Sequence, residues 1–139
     1  MFALIIGGGR VGSAVAKNLL REGWEVTVVD ENKESLLHLG EDYSGGFILG
    51  PGLDIDILME AGIDRADVFV ASTDGDNTNL VISQIAGKRF KVPYVVARVQ
   101  DPNRAQFYSD QLDIMTVSPT LTTINMLLSG IHSFERGEA

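Results

Sequence analysis

Short apolar runs alternate along the whole chain with segments in which apolar residues recur at helical spacing. The runs predict buried strands over residues 2–6, 25–30, 45–50, 66–73, 94–99 and 113–118. The intervening segments predict helices from Val11 up to Gly23 and over residues 31–42, 54–63, 76–90, 102–111 and 119–131. The last segment, residues 132–139, has the character of a frayed tail.

Strand and helix alternate six times in this pattern. Such alternation is typical of an α/β fold in which helices cover both faces of a parallel sheet. We therefore predict a Rossmann-like, doubly wound, six-stranded sheet with strand order 3-2-1-4-5-6. The length of 139 residues fits a single domain, which we place at residues 1–131, followed by a tail at 132–139.

Composition and charge narrow the classes of partner. The formal net charge of −8 disfavours binding to nucleic acid. The chain has no cysteine, and His38 and His132 are too far apart in sequence to suggest a metal site. No apolar run approaches the ~18 residues that a membrane span needs, and the N-terminal apolar run ends in glycines, as a strand does, with no charged region before it. We therefore expect a cytoplasmic protein.

A glycine motif follows the first predicted strand. Gly7, Gly9 and Gly12 have the spacing G-x-G-x-x-G. In such a motif the first glycine permits a tight turn, the second lets the backbone approach a pyrophosphate, and the third lets the helix pack closely on the strand. The helix that begins here points its N–H groups at the phosphates. The alternative is a plain glycine turn, but a strand before the motif and a helix after it favour a dinucleotide site.

Asp30 ends the second predicted strand, at the distance from the glycines that a dinucleotide site requires. Its carboxylate can accept hydrogen bonds from both hydroxyls of an adenosine ribose and would repel a 2′-phosphate, which disfavours NADP. The alternative is a solvated residue after a strand. Glu31 adjoins Asp30 and is a cofactor-binding candidate beside it, although a solvated side chain is the simpler interpretation.

The ends of the fourth and fifth strands should line the same crevice, because ligands of open α/β sheets bind at the carboxyl ends of the strands. These ends supply the candidates Ser72, Thr73, Asp74 and Arg98. Ser72 and Thr73 are placed to bracket an adenine. For Arg98 two interpretations stay open, namely a ligand phosphate or an ion pair with one of two nearby aspartates, Asp76 and Asp101.

The last predicted helix is apolar nearly all round. Its apolar residues are Leu121, Ile124, Met126, Leu127, Leu128 and Ile131. Such a surface usually marks an interface, so we predict an assembly helix. The alternative is that the helix packs back on its own sheet.

Together these segments resemble a known family. The stretches FALIIGGGRVGSAVAKNLL, VTVVDEN, ILGPGLDIDILMEAGIDRADVFVASTDGDNTNLV and VVARVQDP are similar to the nucleotide-binding domain of Trk/Ktr-type potassium-uptake regulators, the RCK or KTN domain. The resemblance spans residues 1–131. It implies a cytoplasmic subunit in a homo-oligomeric dimer or ring beneath a membrane potassium channel or transporter. It also implies that ATP, ADP, AMP or NAD(H) binds and changes the shape of the ring.

The resemblance adds site residues. An arginine followed by an apolar residue is common in this glycine loop of the family, which makes Arg10 and Val11 candidates. Arg10 would then face phosphates near a subunit boundary, where it would sense phosphate number or bridge subunits. The alternative is an exposed arginine that starts a helix. Gly50 and Asn77 are carried over from the third strand loop and from the family's D-E-x-N segment.

The chain departs from the family pattern at three places. Gly50-Pro51-Gly52 replaces a glycine followed by an acidic residue, and Asn77 stands where the family has glutamate. The smaller C-terminal lobe of many members is missing from the sequence, which leaves room for a second regulatory subunit. We expect a regulatory nucleotide sensor rather than an enzyme. A small NAD-dependent dehydrogenase, or a fragment of one, and a structural adaptor with a vestigial site are the alternatives.

Overall fold

The strands form one parallel sheet in the computed structural model, which describes residues 1–112 and 114–138. They are β1 (Phe2–Ile6), β2 (Glu25–Asp30), β3 (Gly46–Leu49), β4 (Val68–Ala71), β5 (Tyr94–Arg98) and β6 (Met115–Val117). Their order is β3-β2-β1-β4-β5-β6, and every neighbouring pair is parallel. The predicted doubly wound order is therefore confirmed.

Helices connect the strands and cover both faces of the sheet. The α-helices of the described residues are α1 (Arg10–Arg21), α2 (Ser35–Leu39), α3 (Ile55–Glu60), α4 (Asp76–Gln84), α5 (Pro102–Leu112) and α6 (Pro119–Glu135). A 3-10 turn at Ile63–Arg65 precedes β4, and a π-helical turn at Ile85–Arg89 extends α4. Parallel strands need such crossovers, and each connection here supplies one.

The core lies on both faces of the central strand. All five residues of β1 are buried. Phe2, Leu4 and Ile6 belong to a larger cluster that includes residues of α3 and α4. Ile5 points to the opposite face and packs in a smaller cluster with Ala16 of α1. This alternation follows from the two-residue period of a strand, and it explains why the run is apolar at every position.

The second helix is shorter than predicted. The sequence predicts a helix over residues 31–42, whereas α2 spans Ser35–Leu39. The Asp30 carboxylate accepts the Asn32 N–H at 2.8 Å, and the Asn32 side chain accepts the Glu34 N–H at 2.9 Å. These local side-chain bonds offer the backbone an alternative to helical pairing, so the segment after β2 forms turns before the helix begins.

The last helix is longer than predicted. Residues 132–135, predicted as part of a frayed tail, continue α6, because the first left-handed residue after it is Gly137, with φ of 73°. None of the residues of α6 is buried, and Met126 and Phe134 are 71% and 75% exposed. The chain therefore does not cover this helix with its own sheet. None of the helices in the described ranges is long and apolar enough to cross a membrane.

Close glycine contacts join β1 to α1. Gly7 has φ of 104° and donates its N–H to the carbonyl oxygen of Val29 at 2.8 Å. A Cβ on Gly12 would lie 1.8 Å from the carbonyl oxygen of Gly7, so no larger residue fits there. A Cβ on Gly9 would meet nothing within 4 Å. The predicted packing roles of Gly7 and Gly12 are thus confirmed by the backbone geometry.

Gly12→Ala should destabilise the fold, and Gly9→Ala is its matched control. The added methyl of Gly12→Ala collides with backbone, so we expect the free energy of unfolding to fall by about 1–3 kcal/mol or more. Gly9→Ala has open space and loses only the N-cap preference of glycine over alanine, so it should lower the free energy of unfolding by at most about 1 kcal/mol. Urea unfolding of both variants measures the difference. Equal stabilities would show that the helix does not depend on this close approach.

Candidate functional site

An open cleft of about 650 Å³ lies at the carboxyl ends of β1, β2, β4 and β5. Its size is within the range of about 300–1,000 Å³ that is usual for small-molecule pockets. Most of the predicted site residues line it. They are Gly7, Gly9, Arg10, Val11, Asp30, Glu31, Ser72, Thr73, Asp74 and Arg98. The topology therefore brings together residues that are as much as ninety positions apart in sequence.

The N-terminus of α1 opens onto this cleft. Gly9 is the N-cap residue, and no side chain of the described residues caps it. The first turn carries no acidic side chain, whereas Arg10 begins the helix and is exposed. One end of the cleft thus holds unpaired N–H groups, the positive end of the helix dipole and a guanidinium. This arrangement favours an anionic group.

Asp30 links the end of β2 to the glycine loop. Its Oδ2 accepts the Gly8 N–H at 2.7 Å, and its Oδ1 accepts the Asn32 N–H at 2.8 Å. Each carboxylate oxygen retains further acceptor capacity, so hydroxyl groups of a ligand can still bind. The bond to Gly8 gives Asp30 a second role, because it also fixes the glycine loop at the start of α1.

The segment after Asp30 contributes residues that the sequence analysis missed. Asn32, Glu34, Ser35 and His38 line the cleft beside Glu31. The turns that shorten α2 bring this segment to the cleft. The sequence analysis missed these four residues because it predicted one continuous helix here. The available signal was the pair of Asx residues at the end of the strand, Asp30 and Asn32.

Arg98 is held at the other wall, at the end of β5. Its Nη2 donates to the carbonyl oxygen of Thr73 at 2.7 Å and lies 3.3 Å from Oδ1 of Asp74. Its side chain is 17% exposed, and its Nε is buried without a hydrogen-bond partner in the described part of the chain. Of the two interpretations of Arg98, the ion pair with Asp76 or Asp101 is wrong, because the nearby carboxylate is that of Asp74, and the contact with a ligand phosphate stays a prediction.

Asp76 is occupied by the backbone of the next loop instead. Its carboxylate accepts the N–H groups of Gln100 at 2.8 Å and of Asp101 at 3.3 Å. Asp76 lies in the first turn of α4, where the helix dipole also favours a carboxylate. The pair of bonds ties the start of α4 to the segment that follows β5.

Asn79 connects the two strand ends from beneath the cleft. It is completely buried, and its Oδ1 accepts the N–H of Thr73 at 2.9 Å and the hydroxyl of Thr73 at 2.6 Å. Its Nδ2 donates to the carbonyl oxygens of Thr73 at 3.0 Å and Arg98 at 2.8 Å. Every hydrogen-bonding position of the amide is therefore used. Sequence reasoning noted this residue only as part of a motif.

Three predicted residues do not line the cleft. Gly12 lies behind the glycine loop, and Asn77 bonds to the guanidinium of Arg104 on α5. The hydrogen bond from Arg104 to Tyr108 raises the pKa of that guanidinium further, so it stays charged beside Asn77. Gly50 packs on Ile57, and the next three residues, Pro51–Leu53, reach the cleft instead.

The chain has the features of a Rossmann-type domain. They are six parallel strands in this order, a glycine loop at the start of α1 and an acidic residue at the end of β2. The chain belongs to the TrkA-N domain family, whose model matches residues 3–119. The family match covers all strands of the sheet and the start of α6.

Individual proteins agree with this assignment. The chain is 41% identical over 128 residues to the Trk system potassium uptake protein TrkA of Streptomyces coelicolor, covering 92% of this chain and 57% of the relative. It therefore spans little more than half of that protein's length. The crystal structure of GsuK bound to ADP matches with a TM-score of 0.75 and 27% identity, over 91% of this chain and 32% of that one. The GsuK channel bound to NAD matches with a TM-score of 0.69 and 21% identity, over 85% and 21% of the two chains.

Asn79→Ala should destabilise the domain much more than Asn77→Ala. The first change leaves the Thr73 N–H and the Arg98 carbonyl oxygen buried without partners, so we expect a loss of about 2–4 kcal/mol in the free energy of unfolding. Asn77 is exposed, and its loss should cost less than about 0.5 kcal/mol. Chemical unfolding of the two variants tests this. Similar losses would mean that Asn79 does not join the strand ends.

Proposed function

We propose that this chain is the nucleotide-sensing part of a potassium-uptake regulator, binds an adenine nucleotide or NAD(H), and is not an enzyme. The observation that carries the proposal is one cleft in which the uncapped N-terminus of α1 and the Asp30 carboxylate lie side by side. An anion fits the first and hydroxyl groups fit the second, and an adenosine phosphate has both.

Different residues of the cleft bind different parts of the ligand. The N–H groups that follow Gly9, with Arg10, bind the phosphates, and Asp30 binds the ribose hydroxyls. Ser72 and Thr73 bracket the adenine, and Arg98 lines the same cleft. Glu31 and Glu34 add negative charge on the side of Asp30. A 2′-phosphate would meet these carboxylates, so NADP(H) is disfavoured.

The relatives support both halves of the proposal. Solved structures of GsuK contain ADP or NAD, and the relative from Streptomyces coelicolor is a potassium uptake protein. The partner in the cell is then a membrane potassium channel or transporter, with this chain on its cytoplasmic side. The match spans 57% of that relative's length.

Coupling to transport requires a shape that the nucleotide can change. The exposed apolar side chains of α6 favour assembly of the chain into a dimer or ring. A nucleotide shifts such an assembly only if it binds one arrangement of the subunits better than another. The cleft and α6 are linked through β5, β6 and the bond from the Ser118 hydroxyl to the Gln100 carbonyl oxygen.

Calorimetric titration with ATP, ADP, AMP, NAD⁺, NADH and NADP⁺ tests the site. We expect binding of an adenine nucleotide or NAD(H) but not of NADP⁺. Asp30→Asn keeps an acceptor for Gly8 but loses the charge, so NAD⁺ affinity should fall about tenfold and the discrimination against NADP⁺ should narrow. Asp42→Asn, an exposed change outside the cleft, is the control.

The outcomes separate the alternatives. Binding without turnover, followed through the absorbance of NADH with candidate substrates, agrees with a sensor. Oxidation of NADH would favour the dehydrogenase. The absence of any nucleotide binding would favour an adaptor with a vestigial site and would overturn the proposal.

Arg10→Gln should weaken nucleotide binding, and the loss of affinity should grow with the number of phosphates on the nucleotide. If Arg10 contacts phosphate, the affinity for ATP and ADP should fall about tenfold while that for adenosine changes little. Arg21→Gln removes a charge from the exposed far end of the same helix and serves as the matched control. An equal effect on ATP, ADP and adenosine would show that Arg10 does not read the phosphates.

A further inference from the structure

The cleft holds a second carboxylate, on the other side of the glycine loop from Asp30. Asp30 ends β2, the glycine loop follows β1, and Asp74 lies in the loop after β4. Because these strands lie in the order β2-β1-β4-β5, the glycine loop separates the two carboxylates along the edge of the sheet. The nucleotide-sensing proposal gives Asp74 no role.

The Asp74 side chain is turned toward β5 and is open to the cleft. Its Oδ1 lies 3.3 Å from Nη2 of Arg98, and the same Nη2 donates to the carbonyl oxygen of Thr73 at the shorter distance of 2.7 Å. The side chain of Asp74 is fully exposed, whereas that of Arg98 is mostly buried. One long contact leaves most of the acceptor capacity of the carboxylate free. Asp74 therefore presents its charge to a group that enters this part of the cleft.

The charged side chains give the cleft an excess of carboxylates. In the described lining the cations are Arg10 and Arg98, and the carboxylates are Asp30, Glu31, Glu34 and Asp74. The first three carboxylates lie at the end of β2 or after it, so Asp74 is the one carboxylate of this lining that belongs to the β4 side. An anion at the glycine loop is attracted by Arg10 and the N-terminus of α1, but a further negative group toward β4 approaches Asp74.

Mononucleotides and dinucleotides differ in the group beyond the second phosphate. With one ribose at Asp30 and two phosphates at the glycine loop, the next group of the ligand lies toward β4, where the cleft continues to Asp74 and Arg98. In ATP this group is a third phosphate, which a carboxylate repels. In NAD(H) it is a second ribose, whose hydroxyls can donate hydrogen bonds to a carboxylate. The cleft thus has a carboxylate on either side of the glycine loop, and NAD(H) has a ribose on either side of its pyrophosphate.

We infer that Asp74 determines which nucleotide the cleft prefers, because it repels a third phosphate and accepts hydrogen bonds from a second ribose. This role rests on the nucleotide-sensing function proposed above, since it needs the first ribose at Asp30. Arg98 does not cancel the repulsion, because its Nη2 is already engaged by Thr73 and its side chain is mostly buried, whereas the carboxylate of Asp74 is exposed. The preferred ligand is then NAD(H), and ATP is disfavoured.

Calorimetric titration of the whole chain with ADP, ATP and NAD⁺, without divalent cations, tests this role. We expect the original chain to bind NAD⁺ more tightly than ATP. Asp74→Asn keeps the size of the side chain and an acceptor for Arg98 but removes the charge. The affinity for ATP should therefore rise about fivefold relative to that for ADP, and the affinity for NAD⁺ should fall about threefold. The melting temperature of the ligand-free variant should not change, since an exposed ion pair contributes little to stability.

Two further variants separate the position of the charge from its mere presence. Asp42→Asn removes an exposed carboxylate outside the cleft and should change none of the three affinities. Glu31→Gln removes a carboxylate from the β2 side of the same cleft and should change the affinities for ATP and ADP by the same factor.

The results distinguish a failure of this role from a failure of the proposed function. Asp74 does not have the role if the original chain binds ATP more tightly than NAD⁺, or if Asp74→Asn leaves the ratio of the ATP and ADP affinities unchanged. An equal change of that ratio in Glu31→Gln would also overturn it. Binding of none of the three nucleotides to the original chain would instead overturn the nucleotide-sensing proposal itself.

Discussion

The approach of Gly12 to the carbonyl oxygen of Gly7 is the constraint on which the rest of the site depends. Because no side chain separates them, α1 begins directly against the end of the central strand. The unpaired N–H groups of the helix are thereby placed at the point where the sheet order reverses, between β2 and β4. Asp30 reinforces this placement through Gly8, so one carboxylate serves both the loop and the ligand end of the cleft.

The cleft has two walls that are fixed in different ways. The wall at β1 and β2 is set by backbone contacts, mainly glycines and the carboxylate of Asp30. The wall at β4 and β5 depends on one buried amide, Asn79, which uses all its hydrogen-bonding positions on Thr73 and Arg98. A substitution of a glycine on the first wall therefore acts through steric fit, whereas a substitution of Asn79 on the second wall acts through unsatisfied polar groups.

The strand order and most cleft residues could be predicted from sequence because they depend on local signals. Apolar runs mark buried strands, and the glycine spacing and Asp30 mark a known turn chemistry. The partner of Arg98 could not be predicted, since Asp74 and Asp76 follow β4, Asp101 follows β5, and only the positions of these aspartates in space select Asp74. The π-helical turn was also hidden, because the apolar spacing of residues 76–90 fits an ordinary α-helix equally well.

The exposed apolar surface of α6 has a consequence for the abundance of the protein in a cell. The single chain displays Met126, Leu127 and Phe134 to water. Chaperones and proteases recognise the same kind of surface on unfolded chains. If α6 is the assembly surface proposed above, unassembled copies are open to removal although their cleft is intact, and the abundance of the subunit would follow that of its partners.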